Sequence, residues 1–197
     1  MVTDIRAAAR RGSAATALAV LLLSACGSGF DPNGDTAGKP SETAEESLHL
    51  GQPSRHLVEL SRWGKDGMFR ITPQRVVMGK ESDLKELDDM QYTDLVPAWV
   101  YVNAKLVGGD SPIKGAYVMS DVGVLTERAQ PVKQLLVMGS DLSSMPADCK
   151  EDDPDQRWKK GDDHTRCALF LVPKGEKATH VLYSRGYYEA PLKWAVK

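Results

Sequence analysis

An acidic stretch in the C-terminal half carries the side chains of this 197-residue chain best suited to hold a metal ion. The segment DCKEDDPDQ crowds these carboxylates onto one loop: Asp148, Glu151, Asp152, Asp153 and Asp155. Clustered oxygen ligands suit Ca²⁺, but the spacing lacks the glycine and the distal glutamate of an EF-hand. The pattern therefore favours a solvated acidic loop, offset by the RWKKGDDH segment that follows it, with Ca²⁺ binding as the alternative.

Histidine and serine offer no recognisable catalytic motif. The four histidines are His49, His56, His164 and His180. The sequence contains neither HExxH nor GxSxG, and a triad assembled by the fold would have no sequence signature. We therefore predict no catalytic residues, and we predict that the protein is not an enzyme.

Aromatic side chains supply two candidate binding surfaces. The segment PAWVYVNAKLVGG alternates, so Trp99 and Tyr101 fall on the face opposite the valines. If that face looks outward, the two rings form a binding patch, since aromatic residues concentrate interface energy. Alternatively, the HLVELSRW segment or a neighbouring loop covers them. The segment RGYYEAP, with Tyr187 and Tyr188, is a second candidate surface.

The first 25 residues have the layout of a secretory signal peptide. A basic start with Arg6, Arg10 and Arg11 precedes the apolar run SAATALAVLLL, and small residues follow. That run is too short for a membrane span, and it lacks the polar positions at helical spacing that a buried core helix would show. The sequence therefore predicts export from the cytoplasm.

The segment LSAC, followed by Gly27, resembles the lipobox of bacterial lipoproteins. In that family the cysteine sulfur receives a diacylglyceryl group, and cleavage occurs just before the cysteine. The resemblance therefore implies lipidation of Cys26 and an extracytoplasmic protein anchored to the cell membrane. Two or three acyl chains would make the anchor durable, because each buried methylene contributes about 0.8 kcal/mol.

Lipidation of Cys26 accounts for an odd number of cysteines. The chain has three, and an unpaired cysteine in an exported protein needs an explanation. Cys149 and Cys167 are then left as a pair in an oxidising compartment, where we predict a disulfide. Two thiolate ligands for a metal are the alternative, although there is no CxxC and only His164 lies near.

Composition limits the remaining functions. Cleavage would remove Arg6, Arg10, Arg11 and Asp4, which leaves 22 of 25 basic and 26 of 27 acidic residues and a net charge of −4 rather than −2. This balance argues against a nucleic-acid partner, which usually meets a basic face. Residues 26–48 carry the lipidated cysteine and a Gly-, Ser-, Pro- and acid-rich stretch that we predict to be a disordered, flexible tether. Residues 49–197 form the predicted domain, with its core beginning at about residue 67.

Period-two alternation dominates that domain and predicts half-buried strands. The strand segments are MFRITPQRVVM, PAWVYVNAKLVGG, GAYVMSDVGVLTE, VKQLLVM, RCALFLVPKGEK, THVLYSRG and PLKWAVK. Only ESDLKELDDM has a helical pattern, and residues 49–66 fit either a short strand at HLVEL or an extended arm. Turn clusters recur at intervals typical of an all-β, two-sheet sandwich.

The order of these segments resembles a group of actinobacterial lipoproteins with an immunoglobulin-like domain, the DUF4352 or MPT63-like group. The features shared are the lipobox, the tether, ITPQRVVMG, AWVYVNAKL, the LFLVPKGEK…VLYSRG hairpin and the final tryptophan strand. The chain departs from the group at LVGGDSPIKG, which lacks the usual Asn-Thr turn. The resemblance implies an immunoglobulin-like β-sandwich outside the cytoplasm, and it supplies no site residues.

These observations together predict a non-catalytic binding module of the cell envelope. Its anchor would be the membrane lipid, and its partner an envelope protein or a cell-wall component. An envelope hydrolase or a small-ligand carrier is the alternative, and a deep pocket with perturbed titratable groups would favour it.

Overall fold

The computed structural model describes residues 48–87, 92–132, 134–136, 142–187 and 189–197. The predicted signal peptide, Cys26 and nearly all of the predicted tether lie outside these residues. The strands in the described part of the chain, in order, are β1 (Leu48–His49), β2 (Val58–Arg62), β3 (Lys65–Met78), β4 (Leu95–Gly109), β5 (Ile113–Lys114), β6 (Val122–Thr126), β7 (Pro131–Val132), β8 (Gln134–Leu135), β9 (Arg157–Trp158), β10 (Asp163–Pro173), β11 (Ala178–Tyr183) and β12 (Leu192–Ala195).

Two five-stranded sheets carry most of these strands. The first has the order β1-β12-β11-β6-β7 and the second the order β2-β3-β4-β10-β8, while β5 and β9 pair separately. The long strands β3, β4 and β10 pair antiparallel, and the short β1 lies parallel to β12. The prediction of an all-β, two-sheet sandwich is confirmed.

Alternation along β4 places one set of side chains in the main core. Val100, Val102 and Leu106 are fully buried there, together with Phe69 from β3 and Trp194 from β12. Burial of each such side chain contributes about 1.5–3 kcal/mol, which is why the alternating pattern fixes the face that points inward. Both the location of β4 and the predicted inward face are confirmed.

Some segments differ from their predicted form. VKQLLVM is not one strand: β7 joins the first sheet and β8 joins the second, so this short stretch crosses between sheets. A 3-10 helix at Val118–Asp121 precedes β6, where the sequence predicted only strand. The helical pattern of ESDLKELDDM gives a 3-10 helix at Glu81–Leu87. No helix among the described residues is long and apolar enough to cross a membrane.

A two-residue hairpin joins β2 to β3 and resolves the ambiguity over residues 49–66. Arg62 pairs with Lys65, and Trp63 and Gly64 between them both have positive φ, at 53° and 70°. Positive φ at both central positions defines a type I′ turn, which suits the right-handed twist of the flanking strands. The turn holds Trp63 at the end of an edge strand.

The short β5–β9 ladder brings a distant part of the chain beside this hairpin. Ile113 pairs with Trp158, and the backbone N–H of Gly115 donates to the Gln156 carbonyl at 2.8 Å. A Cβ at Gly115 would lie 2.7 Å from the carbonyl oxygen of Pro154, and its φ is +63°. Glycine is therefore required for this close approach.

Candidate functional site

Trp99 and Tyr101 are buried, so the predicted exposed patch at these residues is wrong. Each retains only 2% of its accessible surface. They belong to a second hydrophobic cluster on the outer face of the second sheet, with members from the 3-10 helix and from the 142–149 loop: Leu84, Leu142, Cys149, Cys167 and Leu169. The stated alternative, cover by a neighbouring loop, is what the structure shows.

The predicted disulfide between Cys149 and Cys167 is confirmed. The sulfurs are 2.09 Å apart, and the bridge links the 142–149 loop to β10. The Cys167 N–H also donates to the carbonyl of Lys150 at 2.8 Å. Because Cys167 is the direct neighbour of Tyr101 across the sheet, the bridge holds the loop over the aromatic face of β4.

Asp148 is the hydrogen-bond acceptor of the buried Tyr101 side chain. The Tyr101 hydroxyl donates to Asp148 Oδ1 at 2.8 Å, and the Arg75 guanidinium pairs with the other carboxylate oxygen. Arg75 also lies 3.9 Å above the Tyr101 ring. The hydrogen bonds from Tyr101 and Arg75 lower the pKa of Asp148, while burial raises the pKa of Tyr101. This cluster satisfies the one polar atom of a ring that is otherwise in the core.

Three other carboxylates of the acidic loop have separate partners, and Glu151 lines the first pocket described below. Asp152 accepts from the Met119 N–H at 2.7 Å, Asp153 accepts from the Asp155 N–H at 2.8 Å, and Asp155 pairs with Lys114 Nζ at 2.7 Å. Throughout the described part of the chain, no three His, Cys, Asp or Glu side chains are grouped as metal ligands. Among the described residues, these carboxylates therefore do not converge as the Ca²⁺ alternative would require.

Millimolar CaCl₂ is expected to leave the melting temperature of the full-length protein unchanged, because separated carboxylates gain nothing from binding the folded state. Differential scanning fluorimetry in CaCl₂ and in MgCl₂ at equal ionic strength provides the measurement and its control. A rise that occurs with Ca²⁺ alone and saturates would restore the calcium site.

A first pocket, of about 380 Å³, lies beside the disulfide, against the middle of β10. Met119, Leu136 and Ala168 give it an apolar lining, and Asp152 is its most buried carboxylate. One oxygen of Asp152 takes the Met119 N–H, but the other is buried with no hydrogen-bond partner. Burial is the main cause that raises the pKa of Asp152.

Asp152→Asn is expected to raise the melting temperature at pH 7. Since the pKa of Asp152 is higher in the folded than in the unfolded chain, its ionisation favours unfolding. This penalty is absent below the unfolded pKa and develops as the pH rises through the folded pKa. The advantage of the variant should therefore shrink toward pH 3, measured by thermal melts across pH. Asp153→Asn, on the exposed side of the same loop, is the control, and an equal gain in both variants would contradict the assignment.

A second pocket, of about 450 Å³, opens at the tip of the β2–β3 hairpin. Three parts of the chain that are distant in sequence form this hairpin-tip cleft, which is lined by Arg62, Trp63, Lys65, Pro112, Lys114, Tyr117, Pro154 and Asp155. Trp63 is 81% exposed, whereas the other three tryptophans of the chain are all buried. An exposed indole on a fixed turn is the strongest single sign of a binding site in the described residues.

Arg62 lines this cleft and contacts two of its aromatic rings. Its guanidinium lies 4.3 Å from the centroid of the Tyr117 ring and 5.3 Å from that of Trp63. Its Nε is buried without a hydrogen-bond partner, and within the residues that the structure describes no carboxylate forms an ion pair with it. Stacking on aromatic rings fixes the orientation of a guanidinium while leaving its charge unmatched.

The two lysines of the cleft are held from the protein side. Lys65 Nζ donates to the Pro112 carbonyl at 3.0 Å, and Lys114 Nζ lies 2.7 Å from Asp155 Oδ1. Each ammonium has three N–H donors, so each retains donors for a ligand. With Arg62, the cleft carries three positive charges against the single carboxylate of Asp155. The cleft is therefore a cationic site with an aromatic wall.

Two of the histidines, His164 and His180, contact structural neighbours within the described part of the chain. His164 packs edge-to-face against the buried Trp158 ring, with 4.7 Å between centroids. His180 Nδ1 lies 3.1 Å from Thr179 Oγ1, but that hydroxyl already contacts the Thr126 carbonyl at 3.0 Å within the sheet. Tyr187 is 93% exposed, as predicted for a surface residue, and its predicted partner Tyr188 lies outside the described residues.

Five residues that line this cleft were not predicted as site residues: Trp63, Arg62, Lys65, Lys114 and Tyr117. One signal was available for the first three, because RWGK lies between two alternating segments and a glycine at the second turn position favours a two-residue hairpin. The approach of Lys114 and Tyr117 depends on the β5–β9 ladder, which has no local sequence signature.

Comparison with known proteins adds little to this geometry. No family model matches the chain, and no curated protein matches it. Among solved structures, a candidate lipoprotein from Staphylococcus aureus is similar at 10% identity and a TM-score of 0.42, over 71% of this chain and 93% of that one. A candidate lipoprotein from Bacillus subtilis is similar at 12% identity and a TM-score of 0.37, over 69% of this chain and 38% of that one. Both TM-scores are below 0.5, so the functional argument rests on the residues of this chain.

Proposed function

We propose that the protein is a lipid-anchored, extracytoplasmic binding module of the cell envelope, that it is not an enzyme, and that its binding site is the hairpin-tip cleft. The observation that carries the proposal is the 81% exposure of Trp63 on a backbone with positive φ. A bulky residue in this conformation is strained, and its exposed ring contributes little to folding. Strain of this kind concentrates at functional sites.

The sequence supports the anchor. The basic start, the apolar run and LSAC-Gly27 match the lipobox pattern, and Cys26 is the proposed lipidation site. The 26–48 segment would then act as a tether that holds the domain near the membrane and raises the effective concentration of its site for envelope components. Membership of the actinobacterial immunoglobulin-like group is part of the same proposal, supported by the order of the strand segments.

Binding to lipid-free cell walls tests this function. Full-length lipidated protein, extracted in detergent, is mixed with purified walls and sedimented, so the acyl chains find no membrane in the pellet. We expect the wild type to sediment and Trp63→Ala to sediment at least tenfold less, since a buried aromatic anchor typically contributes 2 kcal/mol or more to an interface.

Leu136→Ala is the matched control, because Leu136 is also a large exposed apolar residue, at 76%, but lines the first pocket instead. Leu136→Ala should sediment like the wild type. Sedimentation of Trp63→Ala at the wild-type level would remove the hairpin-tip cleft as the binding site.

A small-ligand carrier is the second candidate, and the first pocket favours it. This pocket is lined by apolar side chains and the buried carboxylate of Asp152, as small-molecule sites often are. Native mass spectrometry of protein purified from its own membranes should then show an added mass. Ser120→Trp, at the exposed rim, should abolish that mass, and an unmodified wild-type mass would count against a carrier.

A further inference from the structure

The cationic character of the hairpin-tip cleft contrasts with the charge of the whole chain. The predicted mature protein has a net charge of −4, yet Arg62, Lys65 and Lys114 meet at one cleft with only Asp155 opposing them. Arg62 has no ion-pair partner among the described residues, so its charge is available to a ligand. A ligand with an acid group would supply the missing counter-charge.

The aromatic wall adds a second requirement. Trp63 presents an exposed indole ring. A pyranose sugar is a hydroxylated ring whose C–H face can stack on indole. Asp155, with 81% of its side chain exposed, offers carboxylate oxygens that accept from hydroxyl groups, and the Lys114 ammonium beside it donates. An acid group, a C–H face and adjacent hydroxyls occur together in an acidic sugar.

The rest of the cleft distinguishes this ligand from a membrane surface. Proteins that insert into lipid present several apolar side chains together with their basic residues. Among the large exposed hydrophobic residues of the described chain, Trp63 alone lines this cleft. The volume of about 450 Å³ lies within the usual range for small-ligand sites, about 300–1,000 Å³. A single stacking ring in an open cleft of this size suits a sugar chain better than a bilayer.

We propose that the hairpin-tip cleft binds an acidic saccharide chain, with its acid group on Arg62, a ring face on Trp63 and hydroxyls on Lys114 and Asp155. This inference rests on the proposed function and names the ligand class of the same site. Because Arg62 is already held by stacking on Tyr117, little side-chain entropy is lost on binding.

Matched acidic and neutral oligosaccharides test the ligand class. Isothermal titration calorimetry uses full-length protein in detergent micelles, with an oligogalacturonate as the acidic probe and its carboxyl-reduced product as the neutral one. We expect the acidic probe to bind at least tenfold more tightly, and its affinity to fall as salt rises. Arg62→Gln should remove about tenfold of the affinity for the acidic probe, and Trp63→Ala should weaken the binding of both probes.

Arg128→Gln is the control for loss of one surface positive charge. Arg128 is exposed at the turn after β6 in the first sheet, where it pairs with Glu176. The Arg128→Gln variant should bind the acidic probe as the wild type does. Thermal melts of Arg62→Gln and Trp63→Ala confirm that both variants are folded before binding is compared.

The possible failures separate the two proposals. Equal binding of both probes would overturn the acidic-saccharide inference and leave the binding module intact. The same conclusion would follow if neither probe binds but the wild type still sediments with walls and Trp63→Ala does not. The acyl anchor binds any bilayer, so the lipid outcome is a preference for vesicles with phosphatidylglycerol over vesicles of phosphatidylcholine alone. If that preference is lost in Arg62→Gln and neither sugar binds, the inference is overturned in favour of a lipid surface. If the wild type binds neither the sugars nor the walls, the cleft is no longer a binding site and both proposals fail.

Discussion

Replacing Trp158 with alanine is expected to lower the free energy of unfolding by about 3–5 kcal/mol, the usual range for deleting a large aromatic from a core. Trp158 has no accessible surface and packs edge-to-face on Phe69, with 5.2 Å between ring centroids. It also belongs to β9, whose pairing with β5 brings Lys114 to the hairpin-tip cleft. The variant should therefore lose cleft binding as well as stability.

Urea denaturation followed by circular dichroism measures the effect, and the chain provides its own control. Trp63→Ala makes the same chemical change at an exposed tryptophan and should change stability by no more than about 0.5 kcal/mol. Trp158→Phe keeps a ring in the core and should cost less than Trp158→Ala. Equal losses of unfolding free energy in Trp158→Ala and Trp63→Ala would contradict the assignment of Trp158 as buried and Trp63 as exposed, on which the site depends.

The strands were predictable because burial on a sheet follows a strict alternation. Along β4, a shift of one residue would bring Asn103 and Lys105 into the core in place of Val102 and Ala104, so the inward face is fixed by the pattern alone. In β11 the same alternation places Val181 and Tyr183 on one face, and both are fully buried. Local pattern is sufficient wherever one face is clearly apolar.

The fate of Trp99 and Tyr101 was not decided by that pattern. Alternation identifies the face of the strand but does not identify what lies against it. The cover comes from a loop fixed by the Cys149–Cys167 bridge, and Cys167 lies opposite Tyr101 only because of the β10–β4 register. That register is set by the whole sheet. The sequence therefore could not show that the predicted disulfide places a loop over the predicted aromatic face.

The hairpin-tip cleft was missed for a related reason. Its three parts, at 62–65, 112–117 and 154–155, are brought together by the hairpin turn and by the β5–β9 ladder. The sequence shows a tryptophan among basic residues, but exposure is a property of the assembled sandwich. Trp63 is exposed in the folded protein, whereas Trp194 is fully buried.

Removing the disulfide with Cys149→Ala and Cys167→Ala together should destabilise the domain by about 3 kcal/mol. The two cysteines are 18 residues apart, and freeing a loop of that length increases the entropy of the unfolded chain by about this amount. Opening of the 142–149 loop should become easier by more than global unfolding does, because the bridge also ties this loop to the sheet. Urea denaturation gives the total loss.

Hydrogen exchange followed by mass spectrometry locates the same loss within the domain. The second hydrophobic cluster, around Trp99 and Tyr101, is small and is covered by a loop. Without the bridge, the free energy of opening this cluster should be lower than that of global unfolding. Exchange should rise in peptides that contain residues 142–149, while peptides from β11 and β12 in the first sheet stay protected. Wild-type protein reduced with a phosphine should behave like the double variant. A uniform rise in exchange over both sheets would show that the bridge stabilises the sandwich as one unit. Unchanged exchange in the loop would show that packing on Trp99 and Tyr101 holds the loop without the bridge.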